Sequence, residues 1–265
     1  MSNTFAIKEV LDFNVFEYSA TGYGDLLFTV DYAKSSNIST TAERLPISGG
    51  IGGYRILDID HSKNCTFGST LPIVDIKALA VKIGKDVKTA ATPATIKEIL
   101  VANATNKITL SQTPLNNTLK IYKLVKERDL GAEQKLGAPA TKTNEYSISG
   151  KEVTLNVTTG ALGTKFVCTY EYASGANAIN VKITANDFPN FITITGRGLV
   201  NDDQDGKIIP ISFKVHKAKV KPEFELTMAN DNATELDFTC DCYTIINSEG
   251  EREYINIVKL EDEAY

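Results

Sequence analysis

The chain contains no tryptophan, two histidines and two methionines, and its four cysteines stand at Cys65, Cys168, Cys240 and Cys242. Two histidines leave few anchors for general-base or metal chemistry, and without tryptophan the usual stacking platform for a sugar ring is missing. No apolar run approaches the ~18 residues that a membrane-crossing helix needs. The N-terminal MSNTFAIKEVLDFNVFEY has no basic leader region and carries acids early, so it does not read as a signal peptide. The cysteines are therefore expected to be reduced and to behave as small hydrophobes. The sequons at Asn37 and Asn232 carry no weight without secretion. Phosphate-binding glycine loops, a nucleophile elbow and a Cys–His pair at family spacing are all missing. No enzyme activity, catalytic residue, cofactor or metal is expected.

Three short stretches test that expectation. DIDHSKNC brings Asp58, Asp60, His61 and Cys65 together but offers no second cluster to complete a zinc site, so it reads as a polar turn leaving a strand. His216 has no acid beside it in sequence. NDDQDGKIIPIS places Asn201, Asp203, Asp205 and Gly206 as in a calcium loop, but Ser212 stands where a bidentate Glu is needed, so a hairpin turn is expected. GGIGG at Gly49–Gly53 fits no dinucleotide fingerprint and reads as a hairpin tip.

What the chain does have is strand signal. Runs at 26–31, 56–59, 107–110, 119–124, 152–157, 165–172, 178–184, 191–195 and 207–215 are rich in β-branched or aromatic residues and separated by turn residues. One clear helix is expected over Thr70–Gly84, capped by Ser69 or Thr70 and closed by Gly84, with Ile73, Ile76, Ala80 and Ile83 on its buried face. A weaker helix is expected over Thr4–Glu9.

ISFKVHKAKVKPEFELTMA, from Ile211 to Ala229, changes phase. Ile211, Phe213 and Val215 are apolar at odd positions, then Ala218, Val220, Phe224, Leu226 and Met228 at even ones. Side chains alternate with period 2 along a strand, so the buried face must switch near His216–Lys217. A bulge or corner is expected there, with Pro222 marking an edge or a second bulge.

Charge divides the chain into three. Residues 1–86 carry 8 basic and 10 acidic side chains, residues 87–176 carry 11 and 7, and residues 177–265 carry 9 and 16. A basic block between acidic ones, with its own regularly spaced strands, points to a module inserted at 87–176 into a discontinuous domain of 1–86 and 177–265. Ile99, Ile108, Leu110, Leu119, Ile121, Val153, Leu155, Phe166 and Val167 are its expected core, and Thr89–Pro93 and Ala173–Ala176 its expected hinges.

The order of features in the outer blocks carries a resemblance. Phe188–Pro189 leads into ITITGRGL, an Asp/Gly turn follows, and then a lysine-punctuated strand ends in KPEFELTM. Earlier stands SGGIGGYRILDIDHSKNCTFGSTLPIVDIKALAVKIG. Across about residues 20–86 and 177–246 this resembles the tail-tube (major tail) proteins of tailed bacteriophages, and the middle block looks like the immunoglobulin-like modules of phage virion proteins.

The resemblance implies a mainly β fold: a tail-tube-like β-sandwich or barrel with one flanking helix, plus an inserted immunoglobulin-like β-sandwich. It implies a structural virion protein whose copies form six-membered rings stacked into a tube. Viral DNA would pass through the tube on ejection without specific binding. The partners would be the chain itself and other tail proteins, with no membrane, and the location the phage tail, with assembly in host cytoplasm. The expected subunit contacts are the hairpin residues Ile47, Gly49, Gly50, Ile51, Gly52, Gly53 and Tyr54, and the strand lysines Lys217, Lys219 and Lys221. A capsid decoration or baseplate component and a cell-surface β-sandwich adhesin are the alternative readings.

Overall fold

The computed structural model describes residues 5–159, 161–202, 207–227 and 234–260. The chain divides into two compact units, Met1–Val87 with Val181–Tyr265, and Lys88–Asn180. In chain order the first unit begins with β1 (Phe5–Ser19), β2 (Gly22–Val30), β3 (Ser35–Gly49), β4 (Tyr54–Leu71) and α1 (Ile76–Ile83). The second unit holds β5 (Lys88–Thr89), β6 (Pro93–Val101), β7 (Lys107–Thr109), β8 (Lys120–Leu124), β9 (Leu130–Leu136), β10 (Glu145–Ser149), β11 (Glu152–Leu155), β12 (Lys165–Ala173) and β13 (Ile179–Asn180). The first unit resumes with β14 (Phe191–Asp202), β15 (Ile208–Val220), β16 (Leu236–Tyr243), β17 (Ile245–Ile246), β18 (Arg252–Glu253) and β19 (Ile255–Lys259).

The first unit is one curled eight-stranded sheet in the order β2-β1-β14-β15-β16-β4-β3, with β19 also on β15. Its strands point Phe13, Val15, Phe28, Phe67, Ile194, Val215 and Phe238 into a single core. Phe13 meets Phe67 edge-on at 5.6 Å, and Phe28 meets Phe238 edge-on at 5.4 Å. Burying each such ring contributes roughly 1.5–3 kcal/mol.

The phase change in β15 falls where the sequence places it. Ile211, Phe213 and Val215 are buried, then Ala218 and Val220. Ile192 pairs with Ala218 and Ile194 with Val215, so β15 uses three steps where β14 uses two. This bulge turns the opposite side chains inward. It is also where β15 changes partner, pairing with β19 through Val215 and with β16 from Lys217. The strand stops at Val220, so Pro222 lies beyond the sheet, neither at an edge nor in a second bulge.

Two helix expectations need correction. Residues from Phe5 form β1, not a helix, and pair with β14 from Phe5↔Asp202 to Glu17↔Ile192. Register shifts at Ile7/Glu9 and Val10/Asp12 break the period-2 pattern and conceal the strand from a periodicity reading. The clear helix is real but shorter. Thr70 and Leu71 end β4 against Asp237 and Leu236, and the cap is Asp75, whose carboxylate accepts from the Lys77 N–H at 2.8 Å. Gly84 closes it in the left-handed region at φ 79°. The buried face is Ala78, Ala80, Lys82 and Ile83. Ile73 is exposed because it lies in the loop before the helix, and Ile76, the first helical residue, is exposed as well. The Lys82 ammonium donates to the Asp237 carbonyl at 2.6 Å.

The second unit is a seven-stranded sheet, β6-β12-β8-β9-β10-β11-β7, around Ile108, Ile121, Val153, Phe166 and Tyr170. Ile99, an expected core residue, is 56% exposed, because β6 is an edge strand whose Ile96 and Leu100 face inward instead. The unit's two ends run antiparallel side by side. Ile179 pairs with Thr89 and Asn180 with Lys88, and the Ser174 N–H donates to the Thr92 carbonyl at 3.0 Å. The expected hinge segments thus include paired backbone.

Candidate assembly surfaces

The β3–β4 hairpin runs well beyond the core. From Asn37 to Asn64 nearly every residue is exposed, while Cys65, Phe67 and Leu71 at its base are buried. Gly50, Gly52 and Gly53 turn the tip at φ 81°, 100° and 65°, conformations that favour glycine. The Gly53 N–H donates to the Gly50 carbonyl at 3.2 Å. Ile51 between them is fully exposed and Tyr54 is 64% exposed. The GGIGG stretch is therefore a hairpin tip.

This arm has two unlike faces. Leu45 pairs with Ile59 and Ile47 with Leu57, and all four are exposed. The other face carries ion pairs. Arg44 grips Asp60 through two bonds, at 2.6 and 3.1 Å, and Arg55 holds Asp58 through two bonds at 2.5 Å. The bond from Arg44 draws the Asp60 carboxyl below the usual range. Such exposed pairs contribute little stability, but they fix the direction in which the side chains point.

A bulge at the root separates arm from core. From Thr41 to Glu43, β3 takes two steps while β4 takes three, from Asn64 to His61. Ser62 absorbs the extra residue at φ 53°. Since β3 alternates without a break, Leu45 and Ile47 lie on the opposite face from Ile38 and Thr40, the partners of Phe67 and Cys65. DIDHSKNC is accordingly strand and bulge, not a turn. Its aspartates are engaged by arginines, His61 Nδ1 lies 2.9 Å from Ser62 Oγ, and Cys65 is in the core.

Backbone edges are the second surface. Among the described residues β2 pairs only with β1, β19 only with β15, and β3 only with β4, so each presents one unpaired edge. Tyr23 and Leu26 on β2 and Ile257 and Val258 on β19 are exposed. β1, β3, β16 and β19 were not among the strand runs read from sequence, although INIVK in β19 is a short apolar alternation that could have marked its strand.

The strand lysines separate into two kinds. Lys221 lies 3.5 Å from Asp241. Lys217 stands over the rings of Phe191 and Tyr18, at 4.2 and 4.9 Å, and Lys219 over Phe191 at 5.6 Å. Nothing brings them near the hairpin tip within the sheet, so the expected contact residues form two separate surfaces. His216, without an acid in sequence, has Glu253 at 3.3 Å across the fold. The calcium-loop reading falls on 203–206, outside the described residues, but its flanks Asn201 and Ile208 are antiparallel strand partners. No group of three or more metal-binding side chains is clustered among the described residues.

All four cysteines are free and buried. Burial pushes the Cys168 and Cys242 thiols up to about 12, and Cys242 sits beside Cys65 across β16 and β4. No described helix is long and apolar enough to cross a membrane.

A curled sheet with unpaired edges and a projecting two-faced arm is the architecture of a β-rich assembly subunit. The family model described as the YomU/Tube protein family matches residues 5–257, and the chain belongs to that family, a phage tail tube-like one of the virion tail. The matched span runs across the middle unit. No curated protein matches the chain.

Proposed function

We propose that copies of this chain close into six-membered rings that stack into the tail tube, the conduit for DNA at ejection, after assembly in the host cytoplasm. The observation that carries this reading is the β3–β4 arm. Four apolar side chains held in solvent on one face of a hairpin need a partner surface. The bidentate ion pairs opposite keep that face pointing one way. The unpaired edges of β2 and β19 supply the lateral contact: they lie at opposite ends of the run β2-β1-β14-β15-β19, so one copy's β2 can add to the next copy's β19. The role is structural, without catalysis.

Residues 88–180 are proposed to be an immunoglobulin-like module outside the tube wall. Their paired ends support this, because an insertion whose ends meet costs its host little loop-closure entropy. Electron microscopy of the purified chain tests the whole reading. Stacked rings with six-fold symmetry are expected, and monodisperse monomers at all concentrations would refute it.

A further inference from the structure

The outer side of the first unit's sheet carries a cleft of about 380 Å³ bounded by Tyr18, Ser19, Lys214, Lys217, His216 and Thr244 among others, with no carboxylate in its lining. That is notable in a chain of net charge −5. Elsewhere Lys34, Lys85, Lys107 and Lys120 each meet a carboxylate. Here Lys214 lies over the Tyr23 ring at 4.5 Å and Lys217 over Phe191 and Tyr18.

The chemistry of that arrangement is specific. An aromatic face attracts an ammonium through its quadrupole, but it takes no proton and cancels no charge. Both lysines are half-buried, so they have lost part of their hydration, and the rings hold them in place with N–H donors to spare. His216 Nε2, beside them, is buried and has no hydrogen-bond partner; the Glu253 carboxylate at 3.3 Å lies outside the lining and off the line of a bond. Ser19 and Thr244 add hydroxyls at the rim.

We propose that this cleft is an oxyanion site that takes a phosphate-type group through Lys214 and Lys217. Two ammoniums on one rim suit a doubly charged tetrahedral anion. The inference stands on the folded subunit and does not depend on ring formation. The phosphate could be free or part of a nucleic-acid backbone, and the two sources are separable.

Equilibrium dialysis of the full chain against radiolabelled inorganic phosphate, at fixed ionic strength set with chloride, should show saturable binding. K214Q/K217Q should weaken it about tenfold or more, whereas K123Q/K126Q, which removes the same charge from the second unit, should leave it unchanged. Equal binding by wild type and K214Q/K217Q, or an equal loss in both double variants, overturns the proposal. A short duplex DNA displaced by phosphate identifies a nucleic-acid backbone as the source; phosphate binding without duplex binding identifies a free anion. Should K214Q/K217Q fail to fold, acetylation of Lys214 and Lys217 in the wild-type chain, read by mass spectrometry, must slow when phosphate is added; no slowing overturns the site.

Discussion

The hydroxyl of Thr193 donates to the backbone carbonyl of His216 at 3.0 Å, bridging the bulge at which β15 exchanges β19 for β16. Thr193 is 2% exposed. Replacing it by Val keeps the shape and removes the donor, leaving a carbonyl in the sheet interior with one partner fewer. A loss of about 1–2 kcal/mol is expected, read as a lower urea midpoint with an unchanged slope.

The arm should be separable from the fold. Ile47 and Leu57 touch no core, so I47E/L57E should change stability by no more than about 0.5 kcal/mol. The same variant should abolish tubes in electron micrographs. Deleting Gly49–Gly53 should give folded subunits that also fail to polymerise. Normal tubes from either would remove the arm from assembly.

Gly84 cannot be replaced cheaply. Its φ is 79°, and a Cβ there would collide with the Phe188 carbonyl oxygen. Gly84→Ala should lower stability by about 3 kcal/mol or more, the left-handed strain and the backbone collision adding together. Thermal melts would show it.

Alkali should destabilise the second unit, with Cys168 as one of the groups responsible. Its thiol is raised to about 12 in the folded chain, chiefly by burial, against an ordinary value near ~9 when unfolded. A group raised on folding contributes its stability fully below the unfolded value and loses it as pH climbs to the folded one. Between about pH 9 and 12 the loss should approach ~1.4 kcal/mol per pH unit. Cys168→Ala should reduce that slope in an isolated 88–180 fragment while lowering its stability at neutral pH, the raised Tyr170 hydroxyl leaving a remainder above about pH 10.

The paired ribbon of β5 and β13 leads to a further expectation. The fragment 88–180 should fold alone and unfold in a single cooperative transition, being large enough to close a core. Replacing 87–176 by a short Gly/Ser linker should leave tubes of thinner profile and unchanged bore. Failure to form any tube would make the unit part of the wall.

Much of the fold was legible because alternation reports burial directly: the β15 bulge could be counted from Phe213, Val215, Ala218 and Val220. β1 was hidden because two bulges within a few residues scramble that alternation. The helix was overextended because Ser69 and Thr70 have the chemistry of a helix cap, whereas Thr70 and Leu71 belong to a strand paired with β16, a long-range partner that no local window contains. The hairpin tip was visible in its glycines. The lysine-lined cleft was not, since Tyr18, Phe191 and Lys217 meet only through the pairing of three strands.

The residue at Ser62 also separates two uses of one alphabet. Leu57 and Ile59 continue the odd-numbered apolar series of Cys65, Phe67 and Leu71, yet β4's one additional step sends them to the other side of the ribbon. Below that step hydrophobicity answers to the subunit's own interior, and above it to whatever surface the ribbon meets. The tip can therefore drift toward a new mate, residue by residue, while the interior that folds the chain is left alone.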